Sequence, residues 1–149
     1  MRMSAMFMTL LMATSGCVMT NGAGSLGSAA DNLDSRAQHF YDEVRHDADY
    51  SYRDDRDARD HDYRSDDHTV RDAEALANAA DDFHRAVERG ESREELNGEF
   101  DRVAEHYHHL REYYDDRGRS REERDRFQAV TDAYVEAEGA LKYRDTRHG

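Results

Sequence analysis

Between residues 69 and 141 the apolar residues recur at steps of three and four, in three runs separated by turn signals. That spacing lines them up on one face of an α-helix. The first run is Val70, Ala73, Leu76, Ala80, Phe83 and Val87. It predicts a helix over 69–89, with Thr69 as its N-cap and Gly90 as a left-handed stop. The second run is Leu96, Phe100, Val103, Tyr107, Leu110 and Tyr114, opened by the capping box Ser92/Glu95. A turn over 115–119 containing Gly118 and a second box, Ser120/Glu123, introduce the third run of Phe127, Val130, Tyr134, Ala137 and Leu141. Turns this short force antiparallel neighbours. Phe83 and Phe100 stand equally far from the turn at Gly90, so they are expected to meet across the interface.

An earlier stripe of Leu33, Ala37, Phe40, Val44 and Ala48 supplies a fourth helix. The expected fold is all-α, a small antiparallel helical bundle of three clear helices plus this first one, over residues 31–149. Its core is lean, because the chain contains no isoleucine, proline or tryptophan and every methionine lies within the first 19 residues. Leu, Val, Phe, Tyr and Ala must fill the interior, each fully buried large side chain contributing roughly 1.5–3 kcal/mol. Residues 45–68 break the pattern. Those 24 positions hold nine Asp and five Arg and no Leu, Ile, Val, Phe or Met. They have almost nothing to bury against the entropy of ordering them. The segment reads as either a solvated helical extension of the bundle or a mobile linker, with partial helix the favoured reading.

The amino terminus has a different chemistry. Arg2 precedes an 11-residue, mostly apolar stretch, Met3 to Ala13, too short to span a bilayer. Thr14, Ser15, Gly16 and Cys17 follow. This run resembles the lipobox of bacterial lipoprotein precursors, with Thr14 in place of the usual leucine. The resemblance implies a signal peptide over 1–16 and a lipid anchor on Cys17, the only cysteine of the chain. Because Val18 rather than Asp follows the cysteine, it also implies the outer membrane. The Gly/Ser/Ala-rich stretch behind Cys17 makes 17–30 the expected flexible linker. An ordinary signal peptide cut after Ala30 is the alternative, and would give a soluble periplasmic or secreted protein.

Nine histidines and a formal charge of −13 frame the site analysis. His39, Glu43 and His46 line one flank of the first helix. His106 and His109 stand one turn apart on a later one, beside Arg102, whose charge opposes a cation. Either set has the spacing for a divalent transition metal. The pairs Glu43/His46 and Glu105/His108 do not make a di-iron set, because Glu105 and His108 point away from the Leu96–Tyr114 stripe. No EF-hand register fits the Asp-rich run beginning at Asp54, which lacks Gly and Glu at the required places. His84 is expected to be a boundary residue with a satisfied ring.

The acidic balance opposes nucleic acid as a partner. None of the common nucleophile, phosphate-loop, zinc-protease or haem motifs occurs, so the expectation is a protein that is not an enzyme and needs no cofactor. The resulting reading is a lipid-anchored periplasmic bundle that acts by protein–protein interaction in the cell envelope, with Tyr113, Tyr114 and Arg117 as candidate interface residues. The alternative is a periplasmic divalent-metal-binding or buffering protein.

Overall fold

The computed structural model describes residues 25–54, 63–115 and 121–146. They form four helices: α1 (Leu26–Asp54), α2 (Tyr63–Arg89), α3 (Arg93–Asp115) and α4 (Arg121–Thr146). No strand occurs among the described residues. Helix α1 packs against α2 and α4, and α3 packs against α2 and α4, which leaves α1/α3 and α2/α4 across the diagonals. The architecture is an all-α four-helix bundle. Residues 1–24, including Cys17, and 55–62, 116–120 and 147–149 lie outside the described residues.

The turn at Gly90 forms for the reasons its sequence gives. Gly90 has φ 67°, a left-handed conformation that costs glycine nothing. Its N–H donates to the Val87 carbonyl at 3.1 Å, and the Glu91 N–H donates to the Ala86 carbonyl at 3.1 Å. These two bonds are the Schellman pair that closes a helix C-terminus. Ser92 then caps α3. Its N–H donates to Glu95 Oε2 at 2.9 Å, and the Glu95 N–H donates to Ser92 Oγ at 3.4 Å. Those bonds to Ser92 hold the Glu95 carboxyl below its ordinary value. As expected, Phe83 and Phe100 meet across this turn, ring centroids 5.2 Å apart at 61°.

Two expectations need correction. The stretch read as a linker is helical from Leu26, with Ala29 and Ala30 fully buried. Ser25 caps this start, its Oγ accepting from the Ser28 N–H at 3.2 Å. Thr69 does not cap α2, which begins at Tyr63. Thr69 is buried in mid-helix, one turn before Ala73 on the same face, and packing rather than capping decides its place. The Asp- and Arg-rich stretch 45–68 is helical at both ends, through Asp54 and from Tyr63. Helix α4 starts at Arg121, where a Ser120 cap would begin it, although residues 116–120 lie outside the described set.

The core is divided by side-chain size. Helices α1 and α2 bring alanines to the centre, Ala29, Ala30 and Ala37 from one and Ala73, Ala77 and Ala80 from the other, all at most 1% exposed. Helices α3 and α4 approach each other least closely, and aromatic rings fill the space between them. Tyr107 stacks on Tyr134 with centroids 4.0 Å apart and planes 12° apart. Phe100 stacks on Tyr134 at 5.3 Å, and Tyr114 on Phe127 at 4.8 Å. Phe40 carries the column across to α1, 5.6 Å from Phe127 and 5.7 Å from Tyr114. The Tyr107 hydroxyl donates to Thr131 Oγ1 at 3.4 Å, and Thr131 donates to the Phe127 carbonyl at 3.1 Å.

Phe100→Ala removes a ring that touches both Phe83 and Tyr134, and is expected to cost roughly 3–5 kcal/mol in denaturant unfolding. A loss under about 1 kcal/mol would place Phe100 at the surface. Burial pushes the Tyr134 phenol above its ordinary value of 10.0, with charges at Glu138, Tyr107 and Asp101 adding to the shift. A group raised on folding stabilises the fold fully below its unfolded value, so this contribution is lost as the pH rises past 10.0 towards the folded value. Tyr134→Phe is expected to flatten that alkaline loss in a pH series of unfolding curves.

Candidate functional site

The histidine ladder of α1 has the expected neighbours but a competing cation. His39 Nδ1 lies 3.4 Å from Glu43 Oε2, one turn on. His46 leans away, its Nδ1 3.9 Å from Asp47 Oδ1. From α4, Arg126 reaches over the same flank. Its Nη1 donates to Asp47 Oδ2 at 2.6 Å, and its Nε is 3.7 Å from Glu43 Oε1. The guanidinium therefore occupies the carboxylates that a metal would need. This pairing was not legible in the sequence, because the register of α4 against α1 is set by closure of the bundle and not by a connecting turn.

The second set is also divided. His109 turns to α2, where its Nδ1 is 3.1 Å from Asp72 Oδ2. His106 is half-buried, and His108 lies beside the aromatic column, its centroid 6.0 Å from Tyr134. Arg102 is held by Glu99 at 2.6 Å. Among the described residues, no three His, Cys, Asp or Glu side chains come together in a metal-binding group. His84 behaves as expected for a boundary residue. It is 20% exposed, with Nδ1 3.3 Å from Asp34 Oδ2 and Nε2 3.7 Å from Glu88 Oε1.

Of the candidate interface tyrosines, Tyr114 belongs to the core and Tyr113 packs against it. Tyr114 is 7% exposed, sandwiched by Phe127 and Phe40. Tyr113 is half-buried and meets Tyr114 edge-on at 5.6 Å. The ring of Tyr114 is spent inside the bundle, whereas Tyr113 keeps part of its surface open. Arg117 lies outside the described residues.

The surface feature that sequence reasoning missed is a groove along the α1–α4 seam. A hollow of about 530 Å³ is walled by Arg36, His39 and Glu43 of α1 and by Arg121, Asp125 and Arg126 of α4, over Phe40 and Ala129. A second hollow of about 590 Å³ continues it past Arg36 towards Ser28, Asn32 and Ser35. Asn32 Nδ2 bridges the helices there, donating to Glu136 Oε2 at 2.9 Å. Three arginines gather here in a chain whose acids outnumber its bases by 34 to 21. Arg36 makes no ion pair among the described residues. Arg121 is only loosely held, its Nε 3.7 Å from Asp125 Oδ2.

The chain matches no known protein family, no curated protein and no solved structure. No described helix is long and apolar enough to cross a membrane.

Arg126→Ala frees Glu43 and Asp47 from their cation. It is expected to strengthen Ni²⁺ binding in calorimetric titration while costing no more than about 1 kcal/mol of stability, as befits a partly exposed ion pair. Unchanged Ni²⁺ affinity would show that Arg126 does not govern the ladder.

Proposed function

We propose that the chain is exported, anchored through lipid on Cys17 to the outer membrane, and acts in the periplasm by binding another envelope protein. The position of the first turns of α1 carries the anchor part of this reading. A cut after Ala30 would strip the core of Ala29 and Ala30, both fully buried, and of Leu26, which packs against it. It would also remove the Ser25 cap. A cut before Cys17 leaves α1 whole. The fold thus favours processing at Cys17 over the later site.

Binding is assigned to the α1–α4 groove. Arginine is among the side chains that most often anchor protein interfaces, because a planar guanidinium combines apolar faces with directed donors. Arg36 has its donors unspent by other described side chains, and Phe40 and Ala129 give the groove an apolar floor. The metal reading loses support from the same seam, since Arg126 neutralises Glu43.

Two measurements test the proposal. Cys17→Ser is expected to abolish labelling by a lipid precursor and to move the protein from the membrane to the soluble fraction. Persistence in the membrane would contradict the anchor. A photo-crosslinking residue at Arg36 is expected to give a discrete adduct in living cells, while one at Asn97, exposed on α3, gives none. Equal labelling at both positions, or none at either, would contradict binding in the groove.

A further inference from the structure

We infer that one end of the bundle, formed by the Gly90 turn and the last turns of α4, rests on the lipid surface, with Tyr143 and Lys142 among the headgroups. The inference rests on the anchor at Cys17 and goes beyond it by naming the face that meets the membrane. In this antiparallel arrangement the start of α1, the turn between α2 and α3, and the end of α4 share one end. The Asn32–Glu136 and Asp34–His84 contacts place the early part of α1 beside the late parts of α4 and α2. Only residues 18–25 separate Cys17 from α1. Fully extended, that stretch reaches about 30 Å. Helix α1 has 29 residues, a length of about 43 Å at the α-helical rise. The connection therefore keeps the near end within about 30 Å of the bilayer, while the far end can stand clear of it.

The two ends differ in the way such an orientation needs. Tyr143 is one of two large apolar side chains left exposed among the described residues, at 50%. Tyrosine partitions to membrane interfaces, where its ring sits among the headgroups and its hydroxyl stays wet. Lys142, the only lysine of the chain, is its neighbour. It pairs with Glu138 at 2.9 Å in an exposed contact, and its ammonium keeps further donors for lipid phosphate. In sequence, residues 142–149 carry Lys142, Arg144 and Arg147 against Asp145 alone. Arg89, paired with Glu91 at 2.6 Å, sits at the same end. The opposite end holds the end of α1 and the start of α2, which belong to the stretch 45–68 whose sequence has nine Asp to five Arg. The near end is less acidic, because Arg89, Arg93 and Lys142 offset much of the charge of Glu88, Glu91, Glu94, Glu95 and Glu138, so an anionic leaflet repels it less than the far end.

The test uses the absence of tryptophan in the chain. In the acylated full-length mature protein, Tyr143→Trp introduces a sole tryptophan at the near end, excited selectively over the tyrosines. Gln128→Trp introduces one 15 positions earlier on α4, about 22 Å further along the helix axis. Each protein is reconstituted in phosphatidylethanolamine/phosphatidylglycerol vesicles with and without brominated lipid. The Tyr143→Trp protein is expected to lose most of its emission to bromolipid and to shift to the blue, while the Gln128→Trp protein keeps its aqueous spectrum. Equal quenching at both positions means that the bundle lies flat, and no quenching at 143 means that the near end stands off; either overturns the inference. Mass analysis of Cys17 and vesicle flotation separate the two failures. An acylated, floating protein without quenching refutes the orientation alone, whereas an unmodified Cys17 removes the anchor and the inference together.

Discussion

The stack of Tyr107 on Tyr134 closes this bundle. Helices α1 and α2 are drawn together by alanines, α2 and α3 by a tight turn and the Phe83–Phe100 contact. Helices α3 and α4 have neither advantage. Their backbones stand furthest apart of the neighbouring pairs, and the gap is filled by rings: Phe100, Tyr107 and Tyr114 from α3, Phe127 and Tyr134 from α4. A chain without isoleucine has few other ways to fill such a volume. Large rings bury 150–250 Å² each, and their stacked and edge-on pairs add roughly 0.5–1.5 kcal/mol beyond area alone. Phe40 extends the same column to α1, so the fourth seam of the bundle depends on it as well.

This division of the interior shapes the surface. Because tyrosines are recruited inward, Tyr114 is not available to a partner, and Tyr113 only in part. The seam between α1 and α4 is crossed by polar bridges at Arg126 and Asn32, and between these bridges the arginine-walled groove lies open. The same crossing competes for the α1 histidine ladder: the guanidinium that ties α4 to α1 does so through the ladder's own carboxylate, Glu43.

How much of this was legible follows from which contacts are local. The Gly90 stop, the Ser92/Glu95 cap and the Phe83–Phe100 contact were all readable, because a three-residue connection fixes the register of the helices it joins. The starts of α1 and α2 were not. Ser25-Leu26-Gly27-Ser28-Ala29-Ala30 has the composition of a linker, and only the presence of partner helices makes burial of two alanines worth an ordered turn. Thr69 looked like a cap because the acidic stretch before it lacks an apolar stripe, yet the helix runs through it. Tyr114 was correctly placed on the apolar stripe, and its burial settles its role against an interface. The groove was illegible because Arg36 and Arg126 lie 90 positions apart on helices whose register no short turn sets.

If the aromatic seam holds α3 to α4, the Tyr107 and Tyr134 rings must stabilise the fold jointly rather than separately. A double-mutant cycle with Tyr107→Leu, Tyr134→Leu and the pair, read by denaturant unfolding, measures that dependence. The account predicts a favourable coupling of roughly 0.5–1.5 kcal/mol between the two positions. Strict additivity, with a coupling near zero, would mean that the rings fill space independently and that the closing contact of the bundle lies elsewhere.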